Sequence, residues 1–127
     1  MTKFTTTYII GVIGIVTWAL TIFLRGTQLS TVNSIAFILG VMPNISATWL
    51  FIWIAEFICE KLSKVFTFKI SIISCGAILI LAFISEIVHV LFLNSPFDVN
   101  DMIATICAIA VYFIVIKVTT SKVMNYK

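Results

Sequence analysis

Four long apolar stretches constrain this chain more than any other feature of its sequence. They are Tyr8–Leu24, a run within Ser34–Ile58, Ile70–Leu93, and Met102–Ile116 with a polar lead-in from Asp98. Inside a bilayer no water is available to backbone amides and carbonyls, so a crossing segment must satisfy its own hydrogen bonds as a helix or within a closed barrel. Barrel strands alternate apolar and polar residues over about 10 positions, whereas these runs are continuous. The reading is an all-α membrane protein, one integral membrane domain over residues 1–127, with spans near 8–24, 45–58, 70–93 and 99–117. Composition agrees. Hydrophobic residues make up 61% of the chain and charged residues 10%, against about 25% charged in soluble domains. A soluble globular domain, a disordered chain and a nucleic-acid module are excluded.

The second stretch contains Gly40, Pro43 and Asn44 in "LGVMPNISATWLF". Proline removes a backbone donor and disfavours helix in the residue before it. Two readings stand. Either one long helix is kinked at Pro43, or a half-helix over 34–41 precedes a span over 45–58.

Lysine and arginine set the expected orientation. With the amino terminus inside, Lys3, Lys61, Lys64, Lys69, Lys117, Lys122 and Lys127 fall inside and only Arg25 falls outside. This positive-inside bias requires an even number of spans and places both termini in the cytoplasm. The expected location is the inner (cytoplasmic) membrane, multi-pass. The first stretch has the charged lead of a signal peptide, but its apolar core is too long and "TIFLRG" offers no small-x-small cleavage site. It is expected to stay as a span.

Cys59, Cys75 and Cys107 are not spaced as a metal or redox motif, and no nucleotide, phosphate or hydrolase signature is present. No cofactor and no metal are expected.

Polar residues at membrane depth are the informative ones, because each ionisable group there costs roughly 2.5–3.5 kcal/mol to insert. Glu86 and His89, in "AFISEIVHVLFLN", share one helix face at i, i+3. They read either as a structural pair or as a ligand or proton site. In "NSPFDVNDMIA", Ser95 reads as a helix cap, Pro96 as the first helical residue and Asp98 as the acidic third position. A later start capped by Asn100 is the alternative, with Asp98 in the loop. Asp101 follows Asp98 by three residues. The short connection between spans three and four forces them antiparallel, so Glu86, His89, Asp98 and Asp101 are expected to converge near the outer leaflet. Arg25, at the outer end of span one, is the expected counter-ion. Glu56 and Glu60 read as anchors at the inner interface, with Lys64 at i, i+4 from Glu60. Gly11 and Gly14 in "GVIG" offer a face for close approach of another helix.

At this hairpin the sequence resembles the VanZ-like family of small bacterial membrane proteins. That family's pattern is a Glu, a Gln three residues on, a short loop, and an Asp opening the next span. Glu86 and Asp101 match it, and His89 stands where Gln is usual. "LGVMPNISA" also resembles the Gly-x-x-Pro-Asn segment of relatives. The arginine common in the family's loop is replaced by Asn94 or Ser95, and its later Asn and Gly by Thr105 and Ala108. The match is specific mainly over 84–110. The resemblance implies a cell-envelope role and no defined reaction.

The function expected is binding of an envelope lipid or glycolipid headgroup through Glu86, His89, Asp98, Asp101 and Arg25. An oligomeric channel, transporter subunit or membrane effector is the alternative. An intramembrane lipid enzyme using Glu86 or His89 as acid–base groups is a third reading, with no activated nucleophile in view. Membrane lipids are the expected partners, with a second copy or another membrane protein as further candidates and no nucleic acid.

Overall fold

A computed structural model describes residues 6–125, and side chains through 119. Lys3 and Lys127, two of the lysines assigned to the inner side, lie outside the described residues, as does the side chain of Lys122. The described chain is four helices and one short turn: α1 (Thr6–Arg25), a 3₁₀ turn (Gln28–Thr31), α2 (Asn33–Lys61), α3 (Phe68–Phe92) and α4 (Val99–Asn125). No strand occurs among the described residues. All four helices are long and apolar enough to cross a membrane.

The helix ends follow local chemistry. After α2, Ser63 adopts a left-handed backbone with φ 55°. The Lys64 amide donates to Cys59 O at 2.8 Å and the Ser63 amide to Glu60 O at 3.0 Å, together closing a Schellman motif. Lys64 therefore lies past the helix end, and the helix-face pair expected of Glu60 and Lys64 has no helix beneath its second member. Thr67 caps α3, its Oγ1 accepting from the Ile70 amide at 3.3 Å. Asn94, the other left-handed residue (φ 50°), turns the chain after α3, a conformation that Asn tolerates better than most residues.

Two expectations are corrected. The half-helix break at 34–41 does not occur: α2 runs without interruption through Pro43. At 29 residues it is about 43 Å long, more than the roughly 30 Å of a bilayer's hydrocarbon. Second, α4 starts at Val99, not at Pro96. Asp98 is its cap, with Oδ1 accepting from the Asn100 amide at 2.9 Å.

α2 is the centre of the bundle, packing on α1, α3 and α4. α1 lies antiparallel to it, and the two glycines are the reason. A Cβ added to Gly11 would stand 2.5 Å from Trp53 Cβ, and one added to Gly14 would stand 2.9 Å from the Ser46 carbonyl oxygen. The small-residue face read from "GVIG" is thus occupied by α2. α4 runs parallel to α2, with Trp49 Nε1 donating to Ala108 O at 3.1 Å. The core takes Ile10 from α1, Ile52 from α2, Cys75 and Ile78 from α3, and Tyr112 from α4.

The bundle is inverted relative to a soluble protein. Its surface carries large apolar side chains, Phe23, Leu91 and Phe92 among the most exposed. Its interior holds Thr7, Thr21, Ser46, Thr48, Glu56, Ser71, Glu86 and Thr105. Three of these hydroxyls return to their own helices: Thr21 donates to Thr17 O, Thr48 to Asn44 O and Ser71 to Phe68 O, each at 2.7 Å. An apolar exterior of this kind suits lipid.

Candidate functional site

Asn94 folds the chain between α3 and α4 so that the start of α4 lies beside the last two turns of α3. At this hairpin end Glu86 is buried, with 6% exposure. It stands six positions before the end of α3 at Phe92, about 9 Å along the helix from that end. Its Oε2 accepts from the Asp98 amide at 3.0 Å. A helix cap's own amide is commonly satisfied by an acidic or amide side chain at the third helical position. Here a carboxylate from the neighbouring helix takes that part, tying α3 to the first turn of α4.

The other Glu86 oxygen, Oε1, lies 3.7 Å from Nδ1 of His89. This is a close ion-pair contact when the imidazole is protonated, and is longer than a hydrogen bond. The His89 side chain is 45% exposed. Asp98 is exposed and Asp101, in the first turn of α4, is half-buried. Both acidic groups sit at a helix N-terminus, where the dipole favours negative charge. Phe83 of α3 meets Phe97 edge to face at 6.0 Å between centroids, closing the apolar side of the hairpin.

Glu86, His89, Ser95, Pro96, Phe97, Asp98 and Asp101 line one pocket of about 320 Å³. The four residues that the sequence placed together at the hairpin therefore share a wall. The fifth, Arg25, does not line it. Its Nε and Nη2 donate to the carbonyl oxygen of Leu39 on α2, at 3.2 and 2.7 Å. The pocket consequently has no arginine or lysine in its lining. It is rich in acceptors, with His89 as its one side chain able to carry positive charge. Such a pocket suits a ligand that donates hydrogen bonds or carries positive charge. Among the described residues no three His, Cys, Asp or Glu side chains are placed to hold a metal ion together.

Two residues have roles that sequence reading did not assign. The Asn44 side chain, on α2, lies close enough to the Asp101 side chain on α4 to interact with it. An amide directly after an in-span proline was the available signal. Glu56, read as an interface anchor, is instead 6% exposed. It lies near Tyr112 in the opposite half of the bundle, where Tyr112 and Thr7 hydroxyls meet at 3.4 Å. Its depth was visible in the sequence; the face it occupies was not.

Comparison of the chain with protein-family models, with curated proteins and with solved structures finds no match.

Proposed function

We propose that the chain is a small VanZ-like membrane protein of the bacterial cytoplasmic membrane, with both termini on the cytoplasmic side. In this reading the hairpin pocket binds the headgroup of an envelope lipid or glycolipid. The observation that carries it is the lining: Glu86, Asp98, Asp101 and His89 share one pocket that holds no lysine or arginine. Glu86 lies within about two helical turns of the end of α3, the depth at which headgroups meet acyl chains. The asymmetry of Lys and Arg supports the orientation that turns this end outward. The residues matching the VanZ-like pattern support a role in the envelope. Amines and sugar hydroxyls are the donors that such a wall selects.

The test uses the full chain in phosphatidylcholine nanodiscs. Short-chain phosphatidylethanolamine and a glucosyl diacylglycerol serve as probes and phosphatidylglycerol as the anionic control, with retention read by native mass spectrometry. One or both probes should be retained over the control. Glu86→Gln with Asp101→Asn should weaken retention by about tenfold or more, the equilibrium weight of a charge-assisted hydrogen bond. Equal retention in the folded double variant, or a preference for the anionic lipid, overturns the reading.

A further inference from the structure

In an α-helix the amide of residue i donates to the carbonyl of residue i−4. Pro43 has no amide hydrogen, so the carbonyl it leaves without its helical partner is that of Leu39. Leu39 O is the oxygen that receives both Arg25 donors, at 3.2 and 2.7 Å. Leu39 is buried, and an unsatisfied carbonyl at membrane depth is costly. The guanidinium therefore stands in for the missing amide, and α2 remains helical through the proline. One residue further on, Asn44 reaches Asp101 in the wall of the pocket.

We propose that Arg25 is a positioning residue of the hairpin pocket. By satisfying the carbonyl orphaned by Pro43, it fixes the course of α2 and so delivers Asn44 to Asp101. The pocket's part in headgroup binding, proposed above, is used only for one of the readouts. The chain's one arginine thus acts on the acidic cluster through a proline and an amide, from a different helix.

The experiment is a cycle of four full-length proteins in nanodiscs: wild type, Arg25→Gln, Pro43→Ala, and both changes together. Pro43→Ala restores an amide that can bond Leu39 O, so it should make Arg25 dispensable. Three quantities are read: amide exchange over Ile38–Thr48, the coupling between Asn44→Ala and Asp101→Ala in thermal stability, and retention of the phosphatidylethanolamine probe. With Pro43 present, Arg25→Gln should speed exchange by about tenfold, abolish the coupling and weaken retention several-fold. In the Pro43→Ala background it should change none of them. Arg25→Lys, which replaces the two-nitrogen fork with one ammonium group, gives an intermediate loss and remains interpretable if Arg25→Gln does not fold. Equal losses with and without Pro43 overturn the proposal. So does a change in exchange that leaves the Asn44–Asp101 coupling intact, since Arg25 would then repair the helix without positioning the site. If wild type retains no probe, the headgroup reading falls, while exchange and coupling still decide this proposal.

Discussion

The α1–α2 pair and the α3–α4 hairpin are both antiparallel, and they are held together in opposite ways. α1 meets α2 along its length through backbone proximity, with Gly11 against Trp53 and Gly14 against Ser46 and Trp49. Within that seam Thr17 and Ser46 hydroxyls meet at 2.9 Å, and at its end Arg25 donates to Leu39 O. The hairpin is joined instead by aromatic and polar contacts toward its ends, with Cys75 and Ile78 in the shared core between them. Phe83–Phe97 and Glu86–Asp98 join it at one end and Phe68–Phe113 at the other. A Cβ added to Gly76, which faces outward from the first half of α3, would meet nothing within 4 Å. In lipid, where burying apolar surface between helices gains little, close packing of small residues and interhelical polar contacts are the two means of association. The first leaves no room for a ligand. The second concentrates polar groups where a ligand can reach them, and the candidate pocket lies at the second.

The largest effect that tests this contrast is expected at Gly14. Its added Cβ would press on a backbone oxygen, which yields only if α2 moves. Gly14→Val should destabilise the protein by about 1–3 kcal/mol, the usual range for overpacking, read as a lower melting temperature and a loss of monodisperse protein in detergent. Gly76→Val, into open space, should stay within about 0.5 kcal/mol of wild type. Similar losses at the two positions would break the comparison, since α3 would then be packed as tightly as α1.

A smaller effect is expected at Glu86. Glu86→Leu removes the acceptor of the Asp98 amide, a charge-assisted hydrogen bond of about 1.5–3 kcal/mol in proteins. Glu86→Gln keeps an oxygen there and should cost less. Amide exchange from Asp98 to Ile103 should rise in the order wild type, Gln, Leu, with no change across Thr6–Arg25. An unchanged hairpin in Glu86→Leu would mean that the aromatic contacts alone hold it, leaving Glu86 with binding only.

These two positions also mark how far the sequence could be read. The helices were legible because lipid forbids nearly every other backbone, and the Gly11–Gly14 face because only small residues admit another helix so closely. The gathering of Glu86, His89, Asp98 and Asp101 followed from an i, i+3 spacing and a connection too short for anything but an antiparallel return. Arg25 was misplaced for a physical reason. Charge counting looks for a carboxylate, and its acceptor is a carbonyl that becomes available only because Pro43 lacks a proton. The cap of α4 was missed because Ser95 and Asn100 also suit that position, and Asp98 read as a first-turn acid or a loop residue rather than the cap it is. The Glu86 bond to the Asp98 amide is a contact from another helix, which local sequence does not carry. Glu56 failed similarly: its depth is a property of the chain, but its burial depends on where α4 lies.

The smallest effect tests whether the two regions are joined firmly enough for one to influence the other. Trp49 flanks Gly14 in the α1–α2 seam and also donates to Ala108 O on α4, so it touches both halves. Trp49→Phe keeps most of the ring and deletes the donor. Interhelical hydrogen bonds in membrane proteins average about 0.6 kcal/mol, and a destabilisation of that size, read from the melting temperature, is expected. Its cost should add to that of Glu86→Gln, because the two groups share no partner and removal of one leaves the other's contacts in place. A cost rivalling that of Gly14→Val would place the main strength of the bundle between α2 and α4. In that case the glycine seam would be a consequence of α4 docking, and the contrast between a rigid pair and a ligand-accessible hairpin would have to be redrawn around the parallel pair.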